Sequence, residues 1–153
     1  MAWVHGEIVI SRPAAEVFDY VADQGNAPGY NPRMNWAEKA TPGPVGAGTR
    51  FRSGICGGGQ VMPVLTECTQ YERPRLLATR TRMARADTCS VLRFDPVTGG
   101  TRMRWSGRVR PKGAFRLLGP AVTWRGNRQE RRVWANMKAR LEAPRAAART
   151  RDR

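Results

Sequence analysis

The side chains that most often perform chemistry are few in this sequence, and their spacing argues against the commonest active sites. His5 is the only histidine, so a Ser-His-Asp or Cys-His nucleophilic arrangement is not expected. Cys56, Cys68 and Cys89 are odd in number and include no Cys-x-x-Cys pair. We therefore predict buried thiols rather than a metal site or a disulfide framework.

Acidic residues and glycine-rich segments give no catalytic pattern either. No two carboxylates have a spacing that forces them together, so paired-carboxylate chemistry is not indicated. Gly46-x-Gly48 and the glycines at 57–59 lack a Walker lysine and do not open a long helix. They are typical of hairpin turns rather than phosphate-binding loops. We predict no cofactor, and the residues leave open whether the protein is an enzyme.

Residues that alternate along the predicted strands indicate a different kind of site, an apolar cavity with a few hydrogen-bonding groups. In the segment 101–110, Met103, Trp105 and Gly107 face one way, while arginines face the other. Gly107 is expected to leave space beside the ring of Trp105. The residues predicted to line the cavity are Trp36, Phe51, Ser53, Thr79, Thr81, Ser90, Leu92, Phe94, Met103, Trp105, Gly107, Gln129, Val133 and Met137.

Gln129 is notable because it is placed on the apolar stripe of the predicted C-terminal helix. A buried amide needs hydrogen-bond partners. A carbonyl or hydroxyl group of a ligand is one possible partner, and the neighbouring sheet or a bound water is another. Val133 and Met137 follow Gln129 on the same stripe and are expected to approach the sheet with it.

The elements that must position these residues follow from periodicity and turn signals. A strand at 3–10 is followed by two short helices, six strands and a long helix near 116–142. The six strands are predicted at 36–40, 49–55, 60–72, 76–83, 88–95 and 101–110. Hairpin-linked strands exclude an alternating βαβ order, so the fold class is α+β. We predict a curled, seven-stranded antiparallel sheet around the C-terminal helix.

Length and composition indicate one domain. The 153 residues are 41% hydrophobic and 25% charged, which is typical of a globular chain. We predict a single ligand-binding domain at 1–143 and a basic tail without fixed structure at 144–153. No apolar run approaches the roughly 20 residues that span a bilayer, and no signal peptide is recognised. The cytoplasm is the expected location.

The formal net charge of +15 comes mainly from arginine, with only three lysines. Such a charge attracts nucleic acid, anionic lipid or acidic ligands. Because the arginines recur on the outward side of several strands, we expect them to be spread over the outer face of the sheet. We therefore expect no specific nucleic-acid binding, and at most a weak association with anionic surfaces. A homodimer is left open.

Several segments together resemble a known family. The segment 8–23, IVISRPAAEVFDYVAD, resembles the first strand and helix of the polyketide cyclase/dehydrase branch of the START-like (SRPBCC, helix-grip) superfamily. Segments 45–51 (VGAGTRF), 71–77 (YERPRLL) and 137–142 (MKARLE) match its later landmarks in order and spacing. The resemblance covers residues 3–142 and implies the helix-grip fold. It implies a hydrophobic ligand, lipid transport or polyketide cyclisation, without an invariant catalytic set.

Three hypotheses about function follow. The first is a binding protein for a hydrophobic or aromatic small molecule, such as a polyketide-like, lipid or isoprenoid ligand. The second is a cofactor-free polyketide cyclase or dehydratase, in which Ser53, Thr79, Thr81 and Gln129 polarise carbonyl groups. The third is a basic surface protein that binds nucleic acid or an anionic membrane. We favour the first, because inward alternation supports a cavity while the sequence displays no acid–base apparatus.

Overall fold

The chain forms seven strands, two α-helices and two short 3-10 helices. The computed structural model describes residues 2–144, apart from the side chains of Ala2 and Val122. The elements in chain order are β1 (Ala2–Ile10), α1 (Ala14–Ala22), a first 3-10 helix (Gln24–Gly29), β2 (Met34–Lys39), β3 (Arg50–Gly57), β4 (Gln60–Glu72), β5 (Leu76–Arg82), β6 (Ala86–Val97), β7 (Gly100–Pro111), a second 3-10 helix (Gly113–Leu118) and α2 (Gly119–Glu142). The predicted element order is confirmed.

The seven strands form one antiparallel sheet in the order β1-β7-β6-β5-β4-β3-β2. All neighbours except β1 and β7 are consecutive along the chain, so most of the sheet is a meander of hairpins. The sheet is open, and β1 and β2 are its two edges. Irregularities of register between Met34 and Trp36 and between Cys68 and Gln70 interrupt the regular pairing. Such bulges increase strand bending and twist, which helps the sheet to curl.

The inner face of the sheet carries the core. On β7, Met103 and Trp105 are buried, whereas the intervening Arg102 and Arg104 are exposed. Arg104 donates to Asp95 on the neighbouring strand at 2.6 Å, so part of the outer-face charge is neutralised by local ion pairing. This alternation is the period-two pattern that the sequence indicates.

Helix α1 closes one part of the inner face. Its positions Val17, Phe18 and Val21 are fully buried, as expected for three residues at helical spacing. The ring of Phe18 packs edge-on against Phe94 at 5.3 Å and against Tyr71 at 5.1 Å, measured between ring centroids. This region is therefore a close-packed core.

Helix α2 lies against the inner face and is fixed along β1. Gly126 approaches Val4 so closely that an added Cβ would be 2.9 Å from the valine Cγ1. One residue further along the helix, the Asn127 Oδ1 accepts a hydrogen bond from the backbone N–H of His5 at 3.0 Å. The predicted helix is confirmed, and its N-terminal half is anchored to the edge strand.

The other side and the end of α2 are fixed by the segments before and after α1. Asn136 and Arg140 donate to the backbone oxygens of Tyr30 and Gly29 at 3.1 and 3.0 Å. The Glu142 carboxylate accepts from the backbone N–H of Ser11 at 2.9 Å. The helix is therefore fixed from both sides, which is the arrangement that a curled sheet around a helix requires.

Among residues 2–144, no helix is long and apolar enough to cross a membrane. The predicted basic tail lies outside the described residues from position 145 onward.

Candidate functional site

The inner face of the sheet is not uniformly apolar, because hydroxyl groups occupy its middle. The Thr79 and Ser90 hydroxyls form a hydrogen bond at 2.8 Å between β5 and β6. The Thr66 and Thr81 hydroxyls form another at 3.2 Å between β4 and β5. We refer to these four residues as the hydroxyl belt. Each hydroxyl offers one proton and two lone pairs, so every pair retains hydrogen-bonding capacity for a further group.

The belt borders a cluster of apolar residues. Ser90 is the register partner of Gly107, which makes Trp105 its diagonal neighbour on the same face. Six of the predicted cavity residues belong to one buried cluster, namely Leu92, Phe94, Met103, Trp105, Val133 and Met137. The structure therefore brings these six together across the sheet and α2, next to the three belt residues that the sequence predicts to line the cavity: Thr79, Thr81 and Ser90.

Two predicted cavity residues lie further along the sheet, on β3. Phe51 and Ser53 are both buried, and Phe51 is the register partner of Thr66. They face the same side as the hydroxyl belt and extend the inner surface toward the β2 edge. Neither belongs to the cluster that surrounds Trp105.

Trp36 is placed differently from the prediction. It is the register partner of Gly54, and its indole occupies the position that a Gly54 side chain would take. Gly54 alternates with Ser53, so Trp36 lies on the outer face, beside Val61. The register irregularity between Met34 and Trp36 shifts the alternation of β2 and gives the physical reason.

The space beside Gly107 also differs from the expectation. A Cβ at Gly107 would be 3.0 Å from the Val4 Cγ2, so the Val4 side chain already fills part of that space. The ring of Trp105 lies instead over Gly6, its register partner on β1. The glycine that accommodates the indole is therefore Gly6.

Gln129 has a protein partner. Its Oε1 accepts a hydrogen bond from the Arg33 guanidinium at 2.7 Å, at an exposed position. Arg33 immediately precedes β2, and its guanidinium also lies near Gly57 at the end of β3. The sequence predicts a buried amide that bonds to a ligand, to the sheet or to a water, whereas this amide is at an exposed position and bonds to a residue just before β2. This contact bridges α2 to the β2 side of the sheet.

Glu130, rather than Gln129, continues the stripe of α2 that faces the sheet. It lies four residues after Gly126 and three before Val133, and both of these face the sheet. Burial raises the pKa of the Glu130 carboxyl above its ordinary value. The indole N–H of Trp134, one turn further along, lies beside this carboxyl and acts in the opposite direction on its pKa, less strongly than burial does.

A series of aromatic rings begins beside this carboxyl. Tyr30, Trp134 and Trp105 follow one another with ring centroids 6.1 and 6.2 Å apart. The pKa of the Tyr30 phenol is raised, chiefly by burial and then by the nearby Tyr20 and Glu130. The indole nitrogens of Trp105 and Trp134 are both buried. The nitrogen of Trp105 has no hydrogen-bond partner among the described residues, whereas that of Trp134 lies beside the Glu130 carboxyl. Two indole donors and a carboxyl with a raised pKa therefore lie in the same aromatic region.

The remaining sequence candidates show no site of their own. Cys68 is buried in the core, where burial raises the pKa of its thiol, while Cys56 and Cys89 are exposed thiols outside any disulfide. The prediction of buried thiols is therefore correct for Cys68 and wrong for the other two, which lie on strand positions that face solvent. Within the described part of the chain, no group of three or more His, Cys, Asp or Glu side chains is placed to hold a metal.

The chain matches one family over nearly its whole length. A model of the family described as polyketide cyclase / dehydrase and lipid transport matches residues 1–142. No curated protein is similar in sequence at a significant level.

Solved structures show the same fold at low sequence identity. A START superfamily protein from Mycobacterium smegmatis has a TM-score of 0.80 at 15% identity, covering 93% of this chain and 98% of that one. The protein TTHA0849 from Thermus thermophilus has a TM-score of 0.77 at 17% identity, covering 91% and 96%. The di-domain ARO/CYC BexL from the BE-7585A biosynthetic pathway has a TM-score of 0.71 at 17% identity, covering 94% of this chain and 48% of BexL.

Proposed function

Since this chain belongs to the polyketide cyclase/dehydrase and lipid transport family, we propose that it binds a hydrophobic or aromatic small molecule between the inner face of the sheet and α2. The observation that carries this proposal is the buried indole nitrogen of Trp105, which has no hydrogen-bond partner among the described residues. An unsatisfied buried donor costs about 1–3 kcal/mol. A ligand oxygen that accepts from the Trp105 indole removes part of that cost.

The surroundings define the chemistry of such a ligand. Leu92, Val133 and Met137 supply apolar contacts, and Met137 has the flexibility to adapt to an irregular shape. The half-buried hydroxyls of Thr79 and Ser90 offer both donors and acceptors at the border of this apolar region. A largely apolar molecule with one or two carbonyl or hydroxyl groups satisfies both features.

The proposal is tested with N-phenyl-1-naphthylamine, an uncharged fluorescent probe that avoids non-specific attraction to the cationic surface. Ser90→Leu places a larger side chain at the border of the apolar cluster and is expected to weaken saturable probe binding about tenfold or more. Val91→Leu is the matched control, because Val91 is the next residue on β6 and faces the outer side. Equal effects of the two variants, or non-saturable binding to the wild type, would reject the proposal.

A second candidate, cyclisation or dehydration of a poly-ketone, is favoured by one observation, the buried carboxyl of Glu130. A carboxylate with a raised pKa is a stronger base, and its acid form is available closer to neutral pH. In an aldol closure, Glu130 removes a proton from a carbon next to a carbonyl. That carbon then bonds to a second carbonyl carbon, whose oxygen takes the proton back and becomes a hydroxyl. Loss of water from this alcohol completes a dehydration.

The two candidates are separated by Glu130→Gln, which keeps the size of the side chain. A binding protein retains probe affinity and has no turnover to lose. A cyclase converts a linear poly-ketone thioester into a cyclic product, observed by mass spectrometry, and this variant lowers the rate roughly 100-fold or more. Wild-type protein that binds the thioester without converting it rejects the second candidate alone.

A further inference from the structure

The end of the molecule around the second 3-10 helix exposes an unusual amount of apolar surface. Leu117 is 88% exposed and Leu118 is 50% exposed, and the second 3-10 helix has no buried residue. Trp124, on the second turn of α2, is 63% exposed. Half of the large hydrophobic residues exposed among the described side chains lie within the ten positions 115–124. Clustered exposure of this kind is typical of an interaction surface.

The same end is strongly basic. Between positions 108 and 128 the sequence has six arginine or lysine residues and no aspartate or glutamate, and one of the six, Lys112, is paired with Asp87 at 2.8 Å. Three exposed aromatic side chains each have an arginine guanidinium near the ring. The pairs are Phe115 with Arg85 at 5.3 Å, Trp3 with Arg108 at 5.6 Å and Trp124 with Arg128 at 5.6 Å. Apolar and cationic groups are therefore interleaved.

The strand register places these groups at one end of the sheet. Trp3, near the start of β1, pairs with Arg108 near the end of β7. Ala86, at the start of β6, pairs with Pro111, and the backbone N–H of Lys112 donates to the oxygen of Arg85. The chain then enters the second 3-10 helix directly. We call this end, comprising Trp3, Arg85, Arg108 and residues 112–128, the basic end.

A cleft at the edge of the basic end has room for a small anionic group. It has a volume of about 400 Å³ and is lined by His5, Trp124, Asn127, Arg128 and Arg131. Among the described residues, neither arginine lies within ion-pair distance of a carboxylate. Two guanidinium groups beside an exposed indole suit a phosphate at a lipid–water interface.

We propose that the basic end binds the surface of an anionic membrane, with Leu117, Leu118 and Trp124 entering the interface and Arg128 and Arg131 contacting lipid phosphates. An anionic bilayer satisfies both features of this surface, because it combines an apolar phase with negative headgroups. A nucleic acid would complement the arginines but offers no apolar phase for the two leucines. The proposal does not depend on which ligand occupies the inner face.

Vesicle co-sedimentation of the full chain tests the proposal. We expect binding to vesicles containing about one third phosphatidylglycerol to exceed binding to pure phosphatidylcholine at least tenfold, and to weaken as salt is added. The paired substitution Leu117→Glu with Leu118→Glu should lower binding about tenfold or more, since it adds charge where apolar contact is required. Both residues are exposed, so the fold tolerates the change.

Val9→Glu is the matched control, because Val9 is 45% exposed and pairs with Arg102, at the opposite end of the sheet from Trp3. The affinity of this variant for the anionic vesicles should lie within twofold of that of the wild type, because its added negative charge is far from the lipid surface. Equal loss in both variants, or equal binding to the two kinds of vesicle, overturns the proposal. The proposal is also overturned if the protein binds duplex DNA more tightly than it binds the anionic vesicles, and if the leucine substitutions leave that DNA binding unchanged.

The depth of Trp124 gives an independent measurement. Lipids brominated near the headgroup should quench tryptophan emission of the bound wild type, and Trp124→Phe should remove most of that quenching. Trp3 is also exposed at the basic end, so the deciding variant combines Trp124→Phe with Trp3→Phe. Quenching that survives this double substitution places a different surface on the membrane and contradicts the proposal.

Discussion

The indole of Trp105 lies over Gly6, its direct partner on the neighbouring strand. A Cβ at Gly6 would fall within 3.0 Å of three ring carbons, Cζ2, Cε2 and Cη2. The glycine therefore provides the surface on which the indole rests, and this directs the ring toward the edge strand and α2. Trp105 is only 5% exposed in this position. The orientation of one indole at the candidate site is thus determined by a residue about 100 positions away.

Gly6→Ala should therefore destabilise the protein. The methyl group must displace a buried ring rather than a flexible chain end, and overpacking of this kind costs about 1–3 kcal/mol. Urea denaturation should report the loss, and the tryptophan emission should shift. Gly46→Ala is the control, because nothing lies within 4 Å of its Cβ position and its φ is not positive. It should change stability by no more than about 0.5 kcal/mol. If the two variants are equally stable, the ring of Trp105 does not rest on Gly6.

Glu130→Gln should stabilise the protein near neutral pH. The folded-state pKa of Glu130 is raised by burial, so the folded protein holds a proton that the unfolded chain has released. Wild-type stability consequently falls as the pH rises from the unfolded-state pKa, near 4.5, through the folded-state pKa. The variant lacks this fall. Its advantage should be present at neutral pH and absent below about pH 4.

Glu38→Gln is the matched control for this titration, since Glu38 is exposed on β2. Denaturation curves of the two variants and the wild type at several pH values give the comparison. An identical pH dependence for Glu130→Gln and the wild type would mean that Glu130 is not held in a buried environment.

The hydroxyl pair of Thr79 and Ser90 should behave as a coupled unit. Thr79→Val and Ser90→Ala each remove one partner of the 2.8 Å bond, and the double variant should show a coupling energy of about 0.5–1.5 kcal/mol. Thr66 and Ser90 lie on strands that are not neighbours, so the same cycle with Thr66→Val should be additive within about 0.5 kcal/mol. Equal coupling in both cycles argues against a specific bond.

Breaking the contact between Arg33 and Gln129 should change access more than stability. The contact is exposed, so Arg33→Ala is expected to cost less than about 1 kcal/mol. Because the contact bridges α2 to the β2 side, its loss should speed entry of the naphthylamine probe in stopped-flow experiments. Gln129→Ala should have the same effect, without adding to that of Arg33→Ala. Arg52→Ala, at an exposed position on β3, is the control; a rate as fast as that of Arg33→Ala would contradict the bridge.

The strands and helices of this fold follow from local signals, whereas several side-chain positions do not. The alternation of Met103 and Trp105 with arginines identifies β7, and Gly119 and Pro120 identify the start of α2. Successive residues of a helix are separated by a rotation of about 100°. An error of one position in placing the sheet-facing stripe of α2 therefore selects Gln129 instead of Glu130. The correct residue could have been found from its neighbours on the stripe. Glu130 lies four positions after Gly126, three before Val133 and seven before Met137, which are the spacings of residues on one face of a helix.

Other differences arise from pairing that the sequence does not reveal. The bulge beside Trp36 reverses the direction in which that side chain points, and nothing in the residue types of β2 marks it. The position of the Trp105 ring depends on the register between β1 and β7, which lie far apart along the chain. Gly107 lies two positions from Trp105 on the same face of β7. The sequence alone therefore indicates Gly107, rather than Gly6, as the glycine that leaves room for the indole.

The adjacency of β1 and β7 also has a consequence for biosynthesis. β1 leaves the ribosome before the other six strands of this sheet, but its partner begins at Gly100, and α2, which packs on β1, is completed only at Glu142. The strands β2 to β7 pair consecutively and can associate as they emerge. The β1 segment, which includes Val4, Ile8 and Ile10, therefore remains unpaired until β7 and α2 have been synthesised. During synthesis, the β1 segment is therefore the strand of this sheet whose apolar side chains stay exposed longest, and we expect chaperones to bind it.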